Sequence, residues 1–278
     1  MRIIFSKIIT SALILAPLVI FVSSCSKDNS TGKTVTATTP DPPKTKPRPD
    51  YALSWSDEFN GATIDPLIWT METGSLGVNN EKEYYQAQNA TIESGNLVIT
   101  AKKESVGGMP YTSARMNTNG KFSTTYGRVE ARIKMPLGKG FWPAFWMLGA
   151  NINTVSWPRC GEIDIMEHIN DDDQIYGTMH WQTGANHAQY GQKTTSTPGE
   201  YHVYAVEWDT EEIRWYVDDT LFVTGNIKDS VNETGAFHLP FFIILNLAVA
   251  GDFPGQTVDE SLLPAKMYVD YVRVYQAK

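Results

Sequence analysis

Cysteine is almost absent: the 278-residue chain holds two, Cys25 and Cys160. So few thiols exclude a disulfide-stapled scaffold, and the fold must hold by packing. Histidine is sparse as well, and the five residues show no His-x-x-x-His spacing, which removes the familiar zinc-hydrolase pattern. Basic residues are outnumbered, 23 against 31 acidic, for a net charge of −8. Nucleic acid and other anionic polymers are poor electrostatic partners for such a chain, whereas a neutral polymer is compatible with it. Internal repeats are lacking, and no long segment shows helical periodicity. No apolar run reaches the ~20 residues that a membrane-spanning helix needs.

The longest such run, Ile8 to Val22, has 15 residues and is broken by Pro17. With Arg2 and Lys7 ahead of it, it reads as a secretory leader over 1–24. It ends in "FVSSCS". Small residues before a single cysteine resemble a bacterial lipoprotein processing site, with Cys25 as the acylated first residue and membrane anchor. The following "SKDNS" resembles a surface-export signal of Gram-negative lipoproteins, so an exported outer-membrane or cell-surface protein is expected. Residues 26–50 hold six Thr and five Pro, with Val35 and Ala37 the only apolar residues. Such a stretch buries too little surface to offset its ordering entropy, and 25–50 reads as a tether.

From 51 to 278 the pattern has period two, with turn residues between. In "GRVEARIKM", Val129, Ala131, Ile133 and Met135 alternate with Arg128, Glu130, Arg132 and Lys134, as expected of a half-buried antiparallel strand. "IRWYVDDTLFVT" predicts a hairpin at Asp218–Asp219, and "FFIILNLAVAG" a buried strand. The fold class is all-β, a two-sheet sandwich or jelly roll.

"RCGEIDIMEHIN" places Glu162, Asp164 and Glu167 two and then three residues apart. On a regular strand Glu167 would share a face with Ile163 and Ile165, and burying an unpaired carboxylate costs several kcal/mol. One extra residue at Ile165–Met166, a β-bulge, returns it to the face of the other two acids. Carboxyl groups so close cannot all ionise, and the spacing allows the ~5–5.5 Å separation of a retaining glycosidase. Indoles surround this stretch: Trp142 and Trp146 upstream, Trp157 just before it, and His180 with Trp181 after it. Flat indole faces suit sugar rings, so these four Trp and His180 are candidates for a glycan cleft. Trp55, Trp69, Trp208 and Trp215 are expected in the core.

"GFWPAFWML" followed by "WPRCGEIDIME" resembles glycoside hydrolase family 16, and most closely its laminarinase-like endo-β-1,3-glucanases. The likeness extends through "WSDEFNG", "NNEKEYYQ", "YGRVEARIKMP", "GTMHW" and "YVDYVRVYQ" over nearly all of 51–278. It implies a β-jelly-roll sandwich with a concave substrate cleft and retaining hydrolysis of β-1,3-glucan or mixed-linkage β-1,3-1,4-glucan; the protein is expected to be a monomer. It also implies Glu162 as nucleophile, Asp164 as assisting carboxylate and Glu167 as general acid/base. Asn80, Arg115 and Asn246 join Trp142, Trp146, Trp157, His180 and Trp181 as subsite candidates. No cofactor is implied for catalysis. Family members often carry a structural Ca²⁺ away from the cleft, and the matching positions are Glu58, the Gly95 carbonyl and Asp270. The chain departs from its laminarinase-like relatives in "AVAGDFPG", where Ala250 and Phe253 stand in place of Gly and Trp. Two other readings fit the residues: a surface protein that binds glycan without cutting it, and a relative acting on agar- or porphyran-type galactans.

Overall fold

The alternation along the chain becomes seventeen strands in the computed structural model, which describes residues 50–278. The leader, Cys25 and all of the tether but Asp50 lie outside the described residues. The first seven strands are β1 (Tyr51–Asp57), β2 (Thr70–Met71), β3 (Glu83–Tyr85), β4 (Ala90–Glu93), β5 (Asn96–Ala101), β6 (Tyr111–Ser113) and β7 (Arg115–Asn117). Next come β8 (Gly127–Lys134), β9 (Phe141–Gly149), β10 (Glu162–Glu167), β11 (Gln174–Thr183) and β12 (Asn186–Thr195). The last five are β13 (His202–Trp208), β14 (Glu212–Val217), β15 (Thr220–Asn226), β16 (Phe241–Val249) and β17 (Ala265–Ala277).

One sheet runs β15-β14-β13-β8-β17-β5-β4, with β1 along β17; the other runs β12-β11-β10-β9-β16-β7-β2. Neighbours far apart in sequence, such as β9 beside β16, mark the crossovers of a jelly roll. The two sheets bury one shared core. Phe145, Met147, Ile163 and Leu245 come from the second sheet, and Val129, Ala131, Ile133 and Val274 from the first. Each of these Phe, Met, Ile, Leu and Val side chains contributes about 1.5–3 kcal/mol by leaving water. Trp69, Trp208 and Trp215 are core residues as expected, and Trp55 stacks on Phe122 with ring centroids 4.4 Å apart.

The hairpin turn falls at Asp218–Asp219, and both residues have positive φ, 47° and 65°, which suits the twist of a two-residue turn. One expectation needs correction. The charged side of β8 does not face water: Arg128, Glu130 and Arg132 are 1%, 1% and 8% exposed. β8 is central, flanked by β13 and β17, whose Glu207 and Tyr275 side chains bond to Arg128 and Glu130 on its outer face. Arg128 meets Glu130 at 2.7 Å, Glu207 at 3.3 Å and Asp219 at 3.1 Å. The face is polar yet buried, because its charges satisfy one another.

Candidate active site

The bulge predicted in β10 is present on both sides of the strand. Against β9, Asp164 pairs with Trp146 and Met166 with Phe145, leaving Ile165 without a partner. Against β11, Asp164 pairs with Thr178 and Glu167 with Tyr176. Three steps along β10 therefore match two steps on each neighbour. Ile163, Ile165 and Met166 all reach the core, while Glu162, Asp164 and Glu167 line a cleft on the opposite face.

Each outer acid takes an indole N–H. Trp157 Nε1 donates to Glu162 Oε2 at 3.0 Å, and Trp142 Nε1 donates to Glu167 Oε1 at 2.9 Å. His180 Nε2 lies 3.0 Å from Asp164 Oδ2 and 3.9 Å from Glu162 Oε1. Desolvation dominates the electrostatics. It pushes the Glu162 carboxyl well above the usual range, and the Asp164 charge adds to the effect. Desolvation likewise raises Asp164 to about 8, and Glu167, with the Asp164 charge second, to about 8. The physical content is shared: the cluster resists collecting negative charge, so protons stay on it near neutral pH. The nearby His180 and a hydrogen bond from Trp157 favour the anion on Glu162, and a hydrogen bond with Glu162 favours the anion on Asp164, so the pair shares a proton.

The other cleft candidates are placed as follows. Trp142, Trp146, Trp157, Arg115 and Asn246 line the same cleft as the acids. Trp146 Nε1 donates to Asn246 Oδ1 at 2.8 Å, and the Arg115 guanidinium sits 4.8 Å over the Trp146 ring. Trp157 is 46% exposed, as a platform for a ligand must be. Asn80 is bonded to Asp252 at 2.8 Å, and its neighbour Asn79 lines the cleft. Trp181 is the correction. It follows His180 on β11, so alternation turns it to the core, where it is 7% exposed, donates to the Asn232 carbonyl at 2.8 Å and meets Phe237.

The residues matched to a calcium site do not fit an ion in this arrangement. Glu58 accepts two hydrogen bonds from Arg273, at 2.8 and 2.7 Å, and Asp270 accepts one from Arg132 at 2.8 Å. Both carboxylates already face a cation. Cys160 is a buried free thiol, behind the loop that carries Trp157.

Tyr176 and His187 escaped the sequence reading, whereas the Ala250–Phe253 loop was singled out by it. Tyr176 shares the cleft face with His180 at i+4 on β11, so the alternation held the signal. Phe253 borders the cleft, edge-on to Trp142 at 5.6 Å and to Tyr176 at 5.0 Å. Ala250, where relatives have Gly, is buried with φ 61° and donates its N–H to the Gly140 carbonyl at 2.7 Å. His187 reaches His180 only through the pairing of β12 with β11, which no local pattern discloses.

Comparison with known proteins agrees with this geometry. The family model "Glycosyl hydrolases family 16" matches residues 78–273. The beta-glucanase of Rhodothermus marinus is 42% identical over 247 residues, covering 82% of this chain and 86% of that protein. The clotting factor G alpha subunit of Tachypleus tridentatus is 44% identical over 82% of this chain, which spans only 34% of that protein. Among solved structures, the laminarinase catalytic domain of Thermotoga maritima MSB8 superimposes with a TM-score of 0.77 at 44% identity, over 82% of this chain and 99% of that one. The chain belongs to glycosyl hydrolase family 16.

Proposed function

We propose that the protein is a retaining endo-β-glucanase that cuts internal β-1,3 linkages of laminarin-type glucan or β-1,4 linkages of mixed-linkage β-1,3-1,4-glucan. The observation that carries this reading is the β10 bulge, which puts Glu167 on the cleft face with Glu162 and Asp164. The relatives named as beta-glucanase and laminarinase support the substrate class. In the first step Glu167 gives its proton to the glycosidic oxygen while the Glu162 carboxylate attacks the anomeric carbon. The carbon–oxygen bond to the leaving sugar breaks as the ester to Glu162 forms. Glu167, now ionised, takes a proton from water, which attacks the same carbon and frees Glu162 with net retention. No cofactor takes part. Trp142, Trp146 and Trp157 offer ring faces, and Asn246 and Arg115 offer polar atoms along the cleft.

The test compares products from laminarin, curdlan, lichenan and agarose, with the first-formed anomer followed by NMR. Glucan oligomers of β-configuration are expected from the wild type, and none from Glu162→Ala. Cleavage of agarose alone would move the assignment to galactans. Binding without release on every polymer would make the protein a glycan binder.

The amino-terminal pattern supports a further part of the proposal. The chain is an exported lipoprotein, anchored to the outer membrane or cell surface through Cys25, and it acts as a monomer. Cys25→Ser should shift the protein from the membrane fraction to the soluble fraction; an unchanged distribution would refute the anchor.

A further inference from the structure

The β12 edge of the cleft carries a histidine that the mechanism above does not use. His187 Nε2 lies 2.9 Å from His180 Nδ1. The two ring planes are 23° apart with centroids 5.1 Å apart, and His187 also meets the Trp157 indole at 4.7 Å. On its far side, His180 Nε2 reaches Asp164 Oδ2 at 3.0 Å and Glu162 Oε1 at 3.9 Å. A line of polar contacts therefore runs from an exposed imidazole on an edge strand to the reacting carboxylates.

Imidazole chemistry gives this line a direction. A neutral ring has one N–H and one bare nitrogen, so two facing ring nitrogens share a single proton. If His180 donates to His187, its own Nε2 is bare, and the Glu162–Asp164 pair must keep an additional proton to bond it. If His187 donates, His180 carries its proton on Nε2, the nitrogen 3.0 Å from Asp164 Oδ2. A pair holding one negative charge favours the second arrangement, which puts an N–H rather than a bare nitrogen beside the charge. Desolvation and the neighbouring His180 hold the His187 pKa below its ordinary value, so His187 stays neutral. Glu162 and Asp164 face the far side of His180; Gln182, opposite His187 in the β11–β12 pairing, accepts from Arg159, and the Gly184 N–H at the turn donates to Glu233.

We infer that His187 is a positioning residue: its Nε2–H holds His180 as the Nε2–H tautomer beside Asp164, which keeps one charge and one proton on the Glu162–Asp164 pair. The inference rests on the reading of that pair as the reacting centre.

Two readouts test it. In the intact protein, long-range ¹⁵N–¹H correlation spectra should show His180 protonated on Nε2 at neutral pH. Protonation on Nδ1 overturns the inference whatever the activity. In His187→Phe, which keeps a ring against Trp157, the acid limb of kcat/KM on laminarin should move up by about half a unit or more. Below that limb kcat/KM should drop about 3-fold or more, with KM nearly unchanged. His187→Gln, whose amide can still donate, should return the limb to the wild-type position. An unmoved limb in His187→Phe, or a Gln variant shifted as far as the Phe variant, assigns the ring to packing and overturns the inference. A wild type inactive on every β-glucan refutes the substrate reading alone, and the tautomer then decides the role of His187.

Discussion

Glu167 shows how much a single hydrogen bond is asked to do. A general acid must hold its proton until the leaving oxygen takes it, and burial with the Asp164 charge raises Glu167 to about 8. Activity should therefore fall as pH rises through about 8, where Glu167 ionises. Trp142 works against that shift, because its Nε1–H stabilises the Glu167 anion at 2.9 Å. Trp142→Phe keeps an aromatic face but removes the donor. Its basic limb should lie above that of the wild type, by about half a unit. A limb that moved down would show that the indole is not the group opposing ionisation. Glu167→Gln should lose the basic limb altogether and lower kcat/KM on glucan by about 10²–10⁴-fold, the usual range for a lost general acid. The cleft face of β10 was legible in the sequence at this scale, because an ionised Glu167 among Ile163 and Ile165 would have had no partner. Trp181 was not. It belongs to a motif rich in ring-binding residues, yet one step of strand alternation after His180 commits it to the core.

At the scale of the element, the bulge compensates for an added residue. Three steps of β10 span two steps of β9 and β11, and the surplus is absorbed at Ile165–Met166. Deleting Met166 gives Glu-Ile-Asp-Ile-Glu, in which plain alternation still delivers both outer acids to the cleft. That variant should keep register and retain measurable glucan cleavage. It should lose about 2–5 kcal/mol of stability, as for other buried Met truncations, since Met166 is wholly buried. Inserting one Ala after Asp164 instead adds a step that the bulge cannot absorb and turns Glu167 to the core. Cleavage should vanish, and comparison of the two variants by product release and denaturant melts checks the account. A second element effect lies at the Asp218 hairpin, where His202 Nδ1 meets Asp218 Oδ2 at 2.5 Å. The bond to Asp218 raises the His202 pKa, and the bond from His202 helps hold Asp218 below its ordinary value, against desolvation. The His202 contribution to stability is whole below its unfolded value near 6.5 and is lost as pH rises through the folded pKa. The Asp218 contribution is present above about 3.9 and is lost as pH falls through the folded pKa. His202→Gln should therefore destabilise the protein more at pH 5 than at pH 9. Local periodicity could not have exposed this pair, because it joins β13 to a turn 16 residues away.

Across the whole molecule the two sheets divide the work, and the division explains where charge is buried. The second sheet turns its outer face into the cleft, where uncompensated carboxylates are the chemistry. The first sheet turns its outer face away from the cleft, and its charges are paired. Period-two alternation foretold that Arg128, Glu130 and Arg132 share a face; it could not foretell that β13 and β17 would bury them, since sheet order is a long-range fact. Arg128 is the hub, bonded to Glu130 at 2.7 Å, Glu207 at 3.3 Å and Asp219 at 3.1 Å. Arg128→Met fits the stem of the side chain but leaves Glu130 and Glu207 buried without their shared cation. Removing one partner of a buried ion pair costs about 3–5 kcal/mol, whereas replacing the paired groups together by apolar residues is often neutral. Urea melts of Arg128→Met should show a loss of that size at pH 7. Because Val129, Ala131 and Ile133 separate this face from the second sheet, kcat on laminarin should remain that of the wild type below the melting transition. The double variant Arg128→Met with Glu130→Leu should recover part of the loss, since it removes the buried carboxylate together with the cation that faced it. If the double variant were less stable than Arg128→Met alone, Glu130 would owe its place to Tyr275, whose hydroxyl it accepts at 3.2 Å, and not to the arginine.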